Sequence, residues 1–247
     1  MKITICVASK SNDRLDGFLK YLSLCHLKGA KLLILGTGEE LYINSLAEHI
    51  QIVNPIVTQI ENEPMWYARV MKEKLNLLKN SGDHDIVFLT DDDYMFNPWA
   101  ISVAKKIFME NEEVDYLSLL SGPGLIPTED EIINLSGFNF MKVHSCMGGS
   151  VIARWNTFLI DMESFFAKND IDNQWDQLFW QFLDIQNGTN KHVYTILDIS
   201  LMQHCNLISH FVHQKENVRV HMRGVDFEPL GNPYLIYEVS EINVATE

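Results

Sequence analysis

The chain has 247 residues, 47% of them apolar, and a formal net charge of −14. That length and apolar content suffice for one sizeable core, while the acidic balance argues against DNA binding and against a broad footprint for any nucleic acid or anionic membrane. Cys6, Cys25, Cys146 and Cys205 are scattered without metal-knuckle spacing, so they read as reduced core thiols in a cytoplasmic setting.

In chain order, Ile3 to Ala8 is an apolar run that reads as a first buried strand. It is shorter than the central segment of a signal peptide, and no stretch approaches transmembrane length. A helix follows from about Asp13 to Leu27, with Leu15, Phe18, Leu19 and Leu22 at helical spacing. Lys31 to Leu35 is a second strand, stopped by Gly36-Thr37-Gly38. A short helix from Leu41 to His49 leads to a weak third strand near Gln51 to Val53. Pro64 opens a helix to about Lys79, with Met65, Val70, Leu75, Leu77 and Leu78 as its apolar set. Strand and helix in alternation imply parallel pairing through crossovers.

Asp85-Ile86-Val87-Phe88-Leu89-Thr90-Asp91-Asp92-Asp93-Tyr94 is the stretch around which the rest is arranged. Ile86 to Leu89 reads as a strand covered on both faces, and it runs into three consecutive carboxylates. In open α/β sheets the carboxyl ends of strands are where ligands bind. An extended chain through the acids would point Asp91 and Asp93 to one side and Asp92 to the other. Carboxylates facing one small space repel, so a cation is expected to hold them. A divalent ion completed by phosphate oxygens is the common arrangement where a diphosphate is bound. An EF-hand is a poor alternative, because Phe96 stands where its loop needs glycine.

Beyond the acids, Asn97-Pro98 reads as a cap followed by proline at the first helical position, opening a helix to about Met109. Val114 to Leu120 is another strand. Phe140 to Val143 and Ser150 to Ala153 flank Met147-Gly148-Gly149, where two glycines permit a close backbone approach. A helix from about Asn173 to Ile185 carries Trp175, Leu178, Phe179, Phe182 and Leu183 on one face. Val193 to Ile199 and Ser200 to Cys205 are strand-like, and the remainder is polar and irregular.

With Asp91-Asp92-Asp93 at the end of its strand, the chain resembles a GT-A-type glycosyltransferase, whose hallmark is an Asp-x-Asp motif in this position. The resemblance implies an α/β fold with a mostly parallel central sheet flanked by helices. It also implies one domain, with a nucleotide-sugar half (1–121), a smaller acceptor-side half (122–205) and a C-terminal tail (206–247) folding over the site. Val7-Ala8-Ser9 and Arg14 resemble the loop that receives the nucleoside, so Ala8, Ser9, Arg14, Arg69, Asp91, Asp92 and Asp93 are the implied donor-binding residues. Gly148, Gly149 and Trp175 fall on the acceptor side. Asp176 is the implied general base, with Asp172 as substitute.

The resemblance further implies Mn2+ or Mg2+ held by Asp91, Asp93 and His204, with His210 and His213 as competitors for the histidine. Two departures stand out. The second strand ends without the acid that many relatives place against the nucleobase, leaving Glu61 or Asn62 to substitute, and the implied base follows Gln174-Trp175 in place of a paired Glu-Asp.

The implied activity is metal-dependent sugar transfer, with inversion, from a nucleoside diphosphate sugar, foremost a UDP-sugar. The acceptor is a hydroxyl on a glycan, protein, lipid carrier or modified nucleobase. The alternatives are a nucleotidyltransferase, whose phosphate loop would be glycine-rich where Ala8 to Leu15 is not, and a non-catalytic nucleotide- or carbohydrate-binding module.

Overall fold

The computed structural model of the chain describes residues 1–25, 27, 29–38, 40–41, 56–59, 67–120, 127–144, 150–169, 178–183, 192–197 and 200–204. The strands are β1 (Ile3–Ser9), β2 (Ala30–Gly36), β3 (Ile56–Gln59), β4 (Ile86–Asp91), β5 (Tyr94–Phe96), β6 (Tyr116–Ser118), β7 (Ile132–Leu135), β8 (Phe138–Val143), β9 (Val151–Arg154), β10 (Val193–Ile196) and β11 (Met202–His204). The helices are α1 (Asn12–Leu22), α2 (Tyr67–Asn80), α3 (Ala100–Glu110) and α4 (Trp155–Lys168), and residues 178–183 are also helical.

Among the described residues nine strands form one sheet in the order β3-β2-β1-β4-β9-β6-β10-β8-β7, while β11 and β5 pair separately. The β3-β2-β1-β4 half is parallel, as the alternation of strands and helices predicts. β9 runs antiparallel between β4 and β6, β10 runs parallel to β6, and β8 is antiparallel to both β10 and β7. The sheet is therefore mixed, with its parallel part built from the first half of the chain.

Period-two alternation along the central strands sorts the core onto two faces. Ile3, Ile5 and Val7 of β1 and Ile86 and Phe88 of β4 join Leu15, Phe18 and Leu19 of α1 and Ile101, Ala104 and Phe108 of α3. Cys6, Val87 and Leu89 face the other way, toward Ala68, Met71, Leu75 and Leu78 of α2 and Phe158, Met162 and Phe165 of α4. Because both faces are covered, β4 has no polar residue before Thr90. Arg154, at the end of β9, donates to Phe108 O at 2.9 Å and Asn111 O at 2.7 Å, so a cation meets the carbonyls at the carboxyl end of α3. Of the four cysteines, Cys6 and Cys25 are free and buried, and burial pushes each thiol up to about 12. Cys146 and Cys205 lie outside the described residues. No helix among the described residues is long and apolar enough to cross a membrane.

Several elements differ from the sequence reading. α1 ends at Leu22 and not near Leu27, because the chain tightens into a turn (Leu24 N to Tyr21 O at 3.0 Å, Cys25 N to Leu22 O at 3.0 Å) that turns Cys25 and Leu27 into the core. The strand on the outer side of β2, away from β1, is Ile56–Gln59; the expected strand near 51–53 and the short helix from 41 to 49 fall almost wholly outside the described residues. β5, β7 and α4 were not anticipated. β7 and β8 are joined through Ser136 (φ 55°) and Gly137 (φ 94°), a two-residue hairpin turn with both centres in the left-handed region. In the last helix, Phe179, Trp180 and Leu183 are buried while Leu178 is 39% exposed, so the apolar face is rotated from the one expected.

His84 lies at the opposite end of β4 from the acids and is buried among hydrogen bonds that a neutral ring satisfies. Its Nε2–H donates to Leu78 O at 2.9 Å, and its Nδ1 accepts from the Thr4 hydroxyl at 2.7 Å. Burial holds its pKa below the ordinary 6.5. A depressed histidine contributes stability that is present above 6.5 and lost as the pH falls through its lower folded value. The fall in Tm between about pH 7 and about pH 5 is therefore expected to be larger in the wild type than in His84→Gln, as scanning calorimetry would show. Parallel pH profiles would contradict this placement.

Candidate functional site

The chain leaves β1 outward to β2 and β3 and returns to β4 on the other side of β1. The carboxyl ends of β1 and β4 thus form a topological switch point, the place where open α/β sheets take ligands. Ala8 stands opposite Asp91 in the β1–β4 register, so the first loop and the acids are brought together from positions 83 residues apart.

Extended backbone continues only to Asp91, and a turn at Asp92 and Asp93 leads into β5. The turn cancels the alternation expected for an extended run. Asp92 and Asp93 share one partner, Arg14, whose guanidinium nitrogen lies 2.5 Å from Asp92 Oδ1 and 3.4 Å from Asp93 Oδ2. Ser9 Oγ donates to Asp92 Oδ2 at 2.6 Å. Asp91 turns instead to Lys74 of α2, whose ammonium lies 2.7 Å from Asp91 Oδ1 and 2.7 Å from Thr90 O.

α1 positions Arg14. Ser11 is its N-cap and accepts from the Arg14 backbone N–H at 3.4 Å, which sets Arg14 in the first turn. Gly38 holds the loop after β2 against this segment. A Cβ there would collide with the backbone carbonyl of Lys10, while Thr37 N donates to Ser9 O at 2.8 Å. Gly38→Ala is expected to lower stability by about 1–3 kcal/mol through overpacking against main chain. A denaturant midpoint equal to that of the wild type would show that the loops can separate freely.

The electrostatics follow from burial. Asp92 is 5% exposed, and desolvation pushes its carboxyl up to about 6, against the pull of Arg14 and of the Ser9 hydrogen bond. Burial lowers the Lys10 ammonium, Arg14 lowers it further, and all three acids oppose the shift. Three cations, Lys10, Arg14 and Lys74, therefore act on three carboxylates. The cation that the clustered acids require is supplied in part by the protein itself.

Of the other residues singled out in the sequence, Ala8 and Ser9 are buried at the end of β1, and Arg69 lies on the exposed face of α2. β11 brings the backbone of His204 opposite Tyr94, the residue after the acids. Gly148, Gly149, Trp175, Asp176, Asp172, Glu61, Asn62, His210 and His213 lie outside the described residues. Among the described residues no group of three His, Cys, Asp or Glu side chains is arranged to hold a metal ion. Lys74 and Lys10 were missed. Lys74 had a legible signal, since Ala68, Met71, Leu75 and Leu78 form the buried stripe of α2 and Lys74 falls within it at only 2% exposure. Lys10 had none beyond its place in the first loop.

Together the sheet order and its flanking helices define a GT-A-like fold. The solved structures that share it are distant in sequence. S. aureus TarS 1–349 matches with a TM-score of 0.58 at 15% identity, over 83% of this chain and 60% of that one. The chain thus spans less than two thirds of TarS 1–349. The mannosyltransferase PcManGT from Pyrobaculum calidifontis, in complex with GDP-Man and Mn2+, matches with a TM-score of 0.52 at 10% identity, over 79% of this chain and 55% of that one. The nucleoside-diphosphate-sugar pyrophosphorylase from Vibrio cholerae RC9 matches with a TM-score of 0.53 at 11% identity, over 86% of this chain and all of that one. No protein-family profile and no curated protein matches the chain.

Proposed function

We propose that the chain is a metal-dependent glycosyltransferase that moves a sugar from a nucleoside diphosphate sugar, foremost a UDP-sugar, to an acceptor hydroxyl. The observation that carries this reading is the meeting of the acidic turn with Ser9 and Arg14 at the switch point of a GT-A-like sheet. Asp92 and Asp93 already converge on one cationic nitrogen, and the backbone of His204 lies alongside. Hard carboxylate oxygens with an imidazole fit Mg2+ or Mn2+, so Asp93, with Asp91 or Asp92 and His204, would hold the ion. When bound, it neutralises the leaving diphosphate as a Lewis acid.

The chain's own groups divide the remaining work. Ser9 and Arg14 orient the acids, Arg14 and Lys10 offer positive charge to phosphate, and Ala8 leaves room beside the end of β1. Asp176 takes the proton from the acceptor hydroxyl in an inverting transfer, with Gly148, Gly149 and Trp175 on the acceptor side.

A nucleotidyltransferase is the second reading. It is favoured by the match that spans the whole pyrophosphorylase and by Lys10 and Arg14 in the first loop, which nevertheless holds no glycine from Ser9 to Arg14. Product analysis separates the two, because nucleoside diphosphate is released by glycosyl transfer and pyrophosphate by nucleotidyl transfer. Thermal shift with UDP-sugars, run with Mn2+ and with EDTA, tests the donor half: stabilisation only with metal supports it, and none with any sugar nucleotide sinks it. In Asp176→Asn, donor binding is expected to persist while transfer falls by about 10²–10⁴. Undiminished transfer would remove the base assignment.

A further inference from the structure

Building on the donor site proposed above, we propose that Arg14 is an exchangeable internal counter-ion. In the metal-free protein it holds Asp92 and Asp93. When a divalent cation binds, it yields Asp93 and turns its guanidinium toward the donor's diphosphate.

The contacts of Arg14 are unequal. Its nitrogen lies 2.5 Å from Asp92 and 3.4 Å from Asp93, so the second contact is the weaker and is the one to open. Its Nε is buried and has no hydrogen-bond partner among the described residues. The guanidinium thus holds, at Nε, donor capacity that the described residues leave unused, and its planar fork matches the oxygens of a phosphate. An unsatisfied buried N–H is costly, and a phosphate oxygen would relieve it.

Lys74 cannot take this part. Its side chain is 2% exposed against 22% for Arg14, and its bonds to Thr90 O and Asp91 are both 2.7 Å. It is a fixed cation, whereas Arg14 sits at the solvent side of the pair. Exchange at Arg14 couples two ligands, since the ion frees the group that the diphosphate needs. By linkage each ligand then tightens the other.

The test uses the full chain with 15N-labelled arginine. The Arg14 Nε–Hε signal, assigned by its loss in Arg14→Lys, is followed as Mg2+ alone and then UDP are added. It is expected to move at both additions. Mn2+ affinity, read from the paramagnetic resonance of the free ion, is expected to tighten about tenfold in Arg14→Gln as a competing charge is removed, and UDP affinity in saturating Mn2+ to weaken by about as much.

An Arg14 signal unmoved by Mg2+ overturns the exchange, as does a folded Arg14→Gln that binds Mn2+ no more tightly than the wild type. If Arg14→Gln does not fold, the wild-type spectra decide. The two proposals fail separately. A signal that moves with Mg2+ in a protein that binds no sugar nucleotide upholds the release of Arg14 and defeats the donor reading. Metal-dependent UDP binding with a stationary Arg14 does the reverse.

Discussion

Replacing Lys74 with methionine is expected to lower stability at neutral pH by about 3 kcal/mol, the low end of what removing one member of a buried ion pair costs. Methionine fills nearly the same space, so the loss is electrostatic and not a cavity. Asp91 would be left half enclosed without its cation, and Thr90 O, on a residue with no solvent exposure, would lose its donor. The low end applies because Asp91 keeps 26% of its side-chain surface and can recover some hydration. Adding Asp91→Asn to Lys74→Met is expected to restore part of the loss, because the uncompensated charge is then gone. Urea denaturation of the two single variants and the double variant measures the coupling. Additive losses would mean that Lys74 and Asp91 are neighbours without being partners.

Asp93→Ala is expected to have the opposite profile, with a large effect on activity and a small one on folding. Manganese-dependent breakdown of a sugar nucleotide should fall by about a hundredfold or more once the acid proposed to hold the cation is gone. The fold should be little affected. Asp92 keeps the shorter contact to Arg14, and the like charge beside it is removed. Steady-state donor hydrolysis and a thermal melt on the same preparation read both quantities. Full hydrolysis in Asp93→Ala would place the metal-dependent chemistry elsewhere, whereas a collapsed melt would make Asp93 a structural acid.

How much of this was legible in the sequence depends on the kind of interaction. The parallel half was readable because both faces of β1, β2 and β4 are covered, which demands unbroken apolar runs such as Ile86 to Leu89. β5 was not, since three residues make no period and Tyr94–Phe96 is a strand only because Met202–His204 pairs with it. α4 does leave a mark in the sequence, since Trp155, Phe158, Met162 and Phe165 recur at helical spacing and are all buried. The loss of alternation at the acids could not be foreseen either. A turn at Asp92 depends on where β5 must go, and that is set by β11, more than a hundred residues away.

The amino-acid sequence alone determined that a buried strand ends in three acids, and that the segments before it alternate as strand and helix. Hydrophobic periodicity is a local property, and it survives without knowledge of what packs where. Only the tertiary structure decided how the charges are shared. It set Arg14 on Asp92 and Asp93, gave Asp91 to Lys74, and drew the backbone of His204 beside Tyr94. Ion pairs depend on distances of a few ångströms between residues far apart in the chain, and sheet order and the turn at Asp92 set those distances.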